Sequence, residues 1–122
     1  MDKPTARVNE VLDEVIDLLS YMVGKSKLFI NYQDIITNIL PDKVIAKERF
    51  MKLEELLVGY LKYLSDNNFR CSDEVISILK NVKSVQIANF ISIIENELSK
   101  LEYNVNYKLW LDSLFAKLII GG

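Results

Sequence analysis

The chain has 122 residues, half of them apolar and about a quarter charged, with four glycines, two prolines and a formal net charge of −2. That length supports one domain with a real core, with no need for a disulfide or metal to hold it together. Fifteen basic and seventeen acidic residues, mixed along the chain, create no basic field for nucleic acid. The lack of histidine and the single cysteine, Cys71, exclude the usual zinc sets, a Cys-His or Ser-His nucleophile pair and an internal disulfide.

A composition poor in turn formers and rich in helix formers predicts an all-α fold, a single bundle of five to six helices over residues 1–122. The first helix is expected from Thr5 to Val23, with Val8, Val11, Leu12, Val15, Leu19 and Met22 as its apolar stripe. Thr5 would cap it and Gly24 would end it in the left-handed conformation. Leu28 to Leu40 carries strand-like residue types in LFINY, yet Ile30, Ile35, Ile36 and Ile39 suit a helix and no pairing strand is near. Pro41 ends this segment and can start the next helix, where its missing N–H is harmless.

The third helix, Asp42 to Asp66, is the longest. Its broad apolar face is read as Val44, Ile45, Phe50, Leu53, Leu57, Tyr60, Leu61 and Leu64, and Gly59 within it suggests a close backbone crossing. Ser72 caps a short helix of Asp73 to Lys80, and Ser84 caps a fifth through Tyr103 with Ile87, Phe90, Ile91, Ile94, Leu98 and Leu101 facing inward. A sixth opens at Asn106 and continues through Leu109, Leu114, Phe115 and Leu118. The opening MDKPTAR lacks an apolar signal core, and runs such as Leu28-Phe29-Ile30 are too short to cross a bilayer, so the expectation is a soluble cytoplasmic protein.

Between the last two helices lies an interhelical corner, Asn104-Val105-Asn106. Asn104 tolerates the left-handed exit of helix five, and Asn106 can accept from the backbone N–H of Lys108 or Leu109. Val105 and Trp110 then occupy the two positions of a hydrophobic staple. The pattern NVNYKLWLDSLFAKL resembles the end of the bacterial DNA polymerase III delta-prime subunit, a clamp-loader component. The RFMKLEELLVGYLKYLSDNNF stretch takes the place of that family's long central helix, and IANFISIIENELSKL precedes the corner as there. Family members commonly carry glutamate where this chain has Asp112.

The resemblance implies a helical collar domain that packs beside the collar domains of the delta and gamma/tau subunits during sliding-clamp loading. It implies a C-terminal fragment of a longer subunit, starting at an exposed linker, with no enzyme activity, no cofactor, and no membrane or direct nucleic-acid contact of its own. Tyr107 and Trp110 are the candidate interface residues. Apolar side chains beyond a single stripe, Trp110, Leu111 and Ile119 on helix six and Val58 and Tyr63 on helix three, point to a subunit contact. An independent small helical binding or regulatory module is the alternative.

Other constellations carry less. Gly24-Lys25-Ser26 ends like a phosphate-binding loop, but Leu19 stands where its first glycine belongs, and the motif closes a helix instead of opening one. Glu54-Glu55 and Asp73-Glu74 are adjacent on helices and so diverge, which suits a solvated face better than shared acid-base work. Lys43, Lys47, Arg49 and Lys52 form the densest basic group, with Glu48 placed four residues before Lys52 for an ion pair.

Overall fold

The computed structural model describes residues 13–24, 32–66, 68–103 and 106–121. They form an all-α bundle with no strand among them. Helix α1 occupies residues 13–22. Helix α2 joins an α-helical turn, Tyr32–Asp34, to a π-helical one, Ile35–Ile39. The remaining helices are α3 (Lys43–Ser65), α4 (Asp73–Leu79), α5 (Ser84–Leu101) and α6 (Tyr107–Gly121). The longest packing seams join α3 to α5 and α5 to α6. Thr5, Val8, Val11 and Leu12, the segment from Leu28 to Ile30, and the corner residues Asn104 and Val105 lie outside the described residues.

Each described end has a local cause. Gly24 takes φ +73, the left-handed conformation a side chain resists, and its N–H donates to Tyr21 O at 3.1 Å. At the end of α2 the Leu40 N–H donates to Ile35 O at 2.8 Å, one residue wider than an α turn. Pro41 disfavours helical geometry at the residue before it, and Leu40 leaves the helix with φ −125 and ψ 57. Asp42, not Pro41, opens α3: its Oδ1 accepts from the Ile45 N–H at 2.9 Å. Ser72 Oγ accepts from the Glu74 N–H at 3.2 Å to start α4. The fifth helix differs from expectation, because Lys83 holds the cap position without a side-chain bond and Ser84 is already helical.

The core gathers around three rings. Phe50 of α3 is fully buried, with its centroid 5.9 Å from Trp110 and 6.1 Å from Phe115, both on α6. Tyr32 of α2 and Tyr21 of α1 meet Phe115 edge-on at 5.3 and 5.8 Å, so one cluster ties four helices together. Leu53 and Leu57 of α3 and Ile87 and Ile94 of α5 extend the buried layer along the α3–α5 seam.

Three expectations for α3 need correction. Val44 and Leu64 are 70% and 48% exposed, while Ala46 is fully buried: Val44 shares the outer side with Glu48 and Met51, and Leu64, in line with the buried Leu57 and Tyr60, lies in the last turn of the helix. Gly59 meets no crossing backbone; a Cβ there would stand 3.7 Å from the ring of Phe69, an ordinary side-chain contact. The turn that brings Phe69 back is closed by the Asn68 N–H donating to Asp66 Oδ1 at 3.0 Å and the Phe69 N–H donating to Asp66 O at 2.9 Å.

Truncating the central ring tests this packing. Phe50→Ala should lose about 3–5 kcal/mol of unfolding free energy in a urea titration. A loss under about 1 kcal/mol would mean that the ring is not the pivot of the core.

Candidate functional site

The sequence points first to the start of α6. Asn106 Oδ1 accepts from the Leu109 N–H at 3.1 Å, and its carbonyl accepts from the Trp110 N–H at 2.9 Å, so Asn106 is the N-cap of α6. Tyr107 is half-buried and stacks 6.2 Å from Trp110, and its hydroxyl donates to Leu40 O at 2.7 Å. Burial, then the charge of Asp42, pushes the Tyr107 hydroxyl up to about 12. Trp110 is not a surface side chain. It is 5% exposed, and its Nε1–H donates to Glu97 O of α5 at 2.8 Å. Its apolar body and single donor are both used inside the molecule, which removes it from a partner interface and makes it a structural anchor. Leu111, also expected as surplus, is fully buried, whereas Ile119 is 67% exposed.

Beside Trp110, Glu97 is a carboxylate in a core position, 2% exposed. Its Oε2 accepts from Lys117 Nζ at 2.7 Å and Lys100 Nζ at 3.1 Å. Burial alone would raise this carboxyl, but the hydrogen bonds and charges of Lys117 and Lys100 outweigh it and hold Glu97 below the usual value. One residue of α5 thus clasps α6 twice, through its backbone to Trp110 and through its side chain to Lys117. On the opposite flank the Tyr32 hydroxyl donates to Asp112 Oδ1 at 2.5 Å. That bond and the Lys108 ammonium at 3.3 Å hold Asp112 below its ordinary range.

The basic group on α3 is engaged within the chain. Lys43 Nζ donates to Tyr103 O at 3.5 Å, and Lys47 pairs with Glu102 at 3.3 Å. Arg49 pairs with Glu14 and donates to Ile39 O at 2.5 Å. Lys52 pairs with Glu55 at 3.2 Å, three residues on, instead of with Glu48. Cys71 is half-buried, and burial is the main reason its thiol is pushed up, away from the reactive thiolate. Among the described residues no group of three metal-ligating side chains comes together, and no helix is long and apolar enough to cross a membrane.

Of the outer face of α6, the sequence points to Ile119 but not to Leu109, Ser113 and Ala116. Leu109, Ser113 and Ala116 are exposed, at spacings of four and three residues, with Leu109 at 66% and Ile119 at 67% along one edge. No charged side chain stands among them; Lys108 and Asp112 flank one side and Lys117 the other. The signal was available, because Leu109 falls out of step with the inward run Trp110, Leu111, Leu114, Phe115 and Leu118. Comparison with known protein families, curated proteins and solved structures finds no match to this chain.

One acid pair sets a pH response. Glu54 of α3 is raised to about 7, first by burial, then by a hydrogen bond shared with Glu95 of α5 and by the charges of Glu95 and Glu55. Folded Glu54 keeps a proton that the unfolded chain has released above its ordinary value of 4.5. Stability therefore falls as pH rises from about 4.5 to about 7. Glu97 acts oppositely and in a lower window: its contribution is present above the ordinary carboxyl value and is lost as pH falls through its depressed one.

Two measurements follow from these contacts. Urea midpoints of the wild type should decline between pH 5 and pH 7, and Glu95→Gln should flatten that decline; an unchanged slope would detach Glu54 from Glu95. Trp110→Phe should cost about 1–3 kcal/mol through the lost hydrogen bond and the smaller ring. A shift below about 0.5 kcal/mol would return Trp110 to the surface role.

Proposed function

We propose that this chain is a non-enzymatic assembly module, docking through the outer face of α6 onto other helical subunits. The observation that carries this reading is the uncharged, exposed strip of Leu109, Ser113 and Ala116, edged by Ile119, on a helix whose inner face is already filled. A helix that met only water on that side would be expected to carry charges there, as the outer face of α3 does. Small residues between two large apolar ones let a partner helix approach closely while giving it something to bury.

The more specific form of the proposal is the collar domain of a clamp-loader delta-prime subunit. Its support is the likeness of residues 104–118 to the end of that family, together with a fold of packed α-helices. In this role α6 packs against the collar domains of the delta and gamma/tau subunits. The chain then works as a fixed scaffold, while nucleotide-driven movement takes place in other domains of the assembly. The Glu97 clasp and the aromatic cluster would keep α6 rigid, so that docking costs little ordering of the helix itself.

Leu109→Glu places a charge at the N-terminal end of the strip without touching the core. It should weaken capture of purified delta and gamma/tau subunits by about tenfold or more, equivalent to about 1.4 kcal/mol, with the melting temperature held within about 2 °C. Capture equal to that of the wild type, or no capture of either subunit by the wild type, would overturn the proposal.

A further inference from the structure

The outer stripe of α3 is left unexplained by both the core and the proposed docking of α6. Glu48, Met51, Lys52, Glu55 and Lys62 are exposed there, and Val58 and Gly59 lie half-buried between them. At 1.5 Å per residue the stripe runs about 21 Å along the helix. It borders a groove of 760 Å³ whose floor is Gly59 and whose wall is Phe69. Met51 is 50% exposed and Phe69 39%, so both edges of the groove offer apolar surface to solvent.

The chemistry of the stripe is complementary to itself when turned end for end about Glu55. Glu48 then faces Lys62, and Met51 faces Gly59. Lys52 faces Val58 and, one turn away, Glu55. We propose that α3 binds a second copy of this chain, as an antiparallel helix pair across a two-fold axis at Glu55. Such an interface is isologous, so each favourable pairing occurs twice.

Met51 of each copy enters the groove of the other beside Gly59, with its thioether against the exposed side of the Phe69 ring, a contact that sulfur and aromatic rings favour. Gly59 keeps the floor of the groove low, with the Phe69 ring 3.7 Å from where its Cβ would stand. Lys62 Nζ stands 5.5 Å from the centroid of the Phe69 ring, at the mouth of the groove where Glu48 of the second copy arrives. The two Glu55 carboxylates at the axis are offset by Lys52 of each copy, whose ammonium lies 3.2 Å from its own Glu55. The pairing uses α3 and is independent of the clamp-loader reading, which uses α6.

A charge-swap experiment by sedimentation equilibrium tests it on the full chain. The wild type should reach twice the monomer mass. Glu48→Lys and Lys62→Glu, each alone, place two like-charge pairs in the interface and should weaken the dimer by about tenfold or more. An equimolar mixture of the two variants restores opposite charges at both ends and should dimerise like the wild type. A wild type that stays monomeric up to about 1 mM would overturn the proposal. So would a dimer indifferent to both reversals, or a mixture no tighter than either variant alone.

Discussion

The fold depends on Phe50 lying between Trp110 and Phe115. Those two rings fall five residues apart on α6, so they straddle one side of the helix and can hold a single ring from α3 between them. Once they do, Tyr32 and Tyr21 close against the far side of Phe115, and the positions of α1 and α2 follow. An edge-on ring contact adds about 0.5–1.5 kcal/mol to what burial contributes, so the cluster supplies direction as well as stability. A Leu-only core of the same volume would hold the helices together without dictating their angles.

Polar contacts around this cluster settle groups that helix ends leave unpaired. The π turn of α2 exposes its last carbonyls, and two side chains from other helices meet them: Arg49 donates to Ile39 O and Tyr107 to Leu40 O. Glu97 plays the corresponding part between α5 and α6, where two ammonium groups compensate a carboxylate taken out of water. With these groups used internally, the outer faces of α6 and α3 are among the described surfaces still free to meet a partner. The contrast between the two faces is chemical: the α6 strip is uncharged, whereas the α3 stripe alternates acid and base.

Much of the architecture was legible because apolar residues recur at helical spacing, and because Gly24, Ser72 and Asn106 mark helix ends through well-defined local chemistry; the Asp42 cap was hidden behind Pro41, which looked able to start the helix itself. Faces were harder to read than helices. Val44 and Leu64 look like core residues by type, but Val44 falls on the outer side of α3 with Glu48 and Met51, and Leu64 lies in the last turn of the helix. Trp110 has the residue type of an interface anchor, but its spacing of four from Leu114 and eight from Leu118 places it on the buried stripe. Glu97 gives no local signal, because its compensation comes in part from Lys117, twenty residues away on another helix. Ser113 and Ala116 carry no strong signal individually; they become informative only when the inner face of α6 is known to be full.

In this account one helix serves two roles on opposite sides, with Trp110, Phe115 and Leu118 building the core while Leu109, Ser113 and Ala116 await a partner. Side-chain hydroxyl-radical footprinting, carried out on the chain alone and then with the delta and gamma/tau subunits proposed as its partners, examines both sides at once. Leu109 and Ile119 should be modified in the isolated chain and protected in the complex, with Phe50 and Trp110 protected in both. Strong modification of Trp110 in the isolated chain, or Leu109 and Ile119 modified equally with and without partners, would contradict the division of α6 into a structural and a docking face.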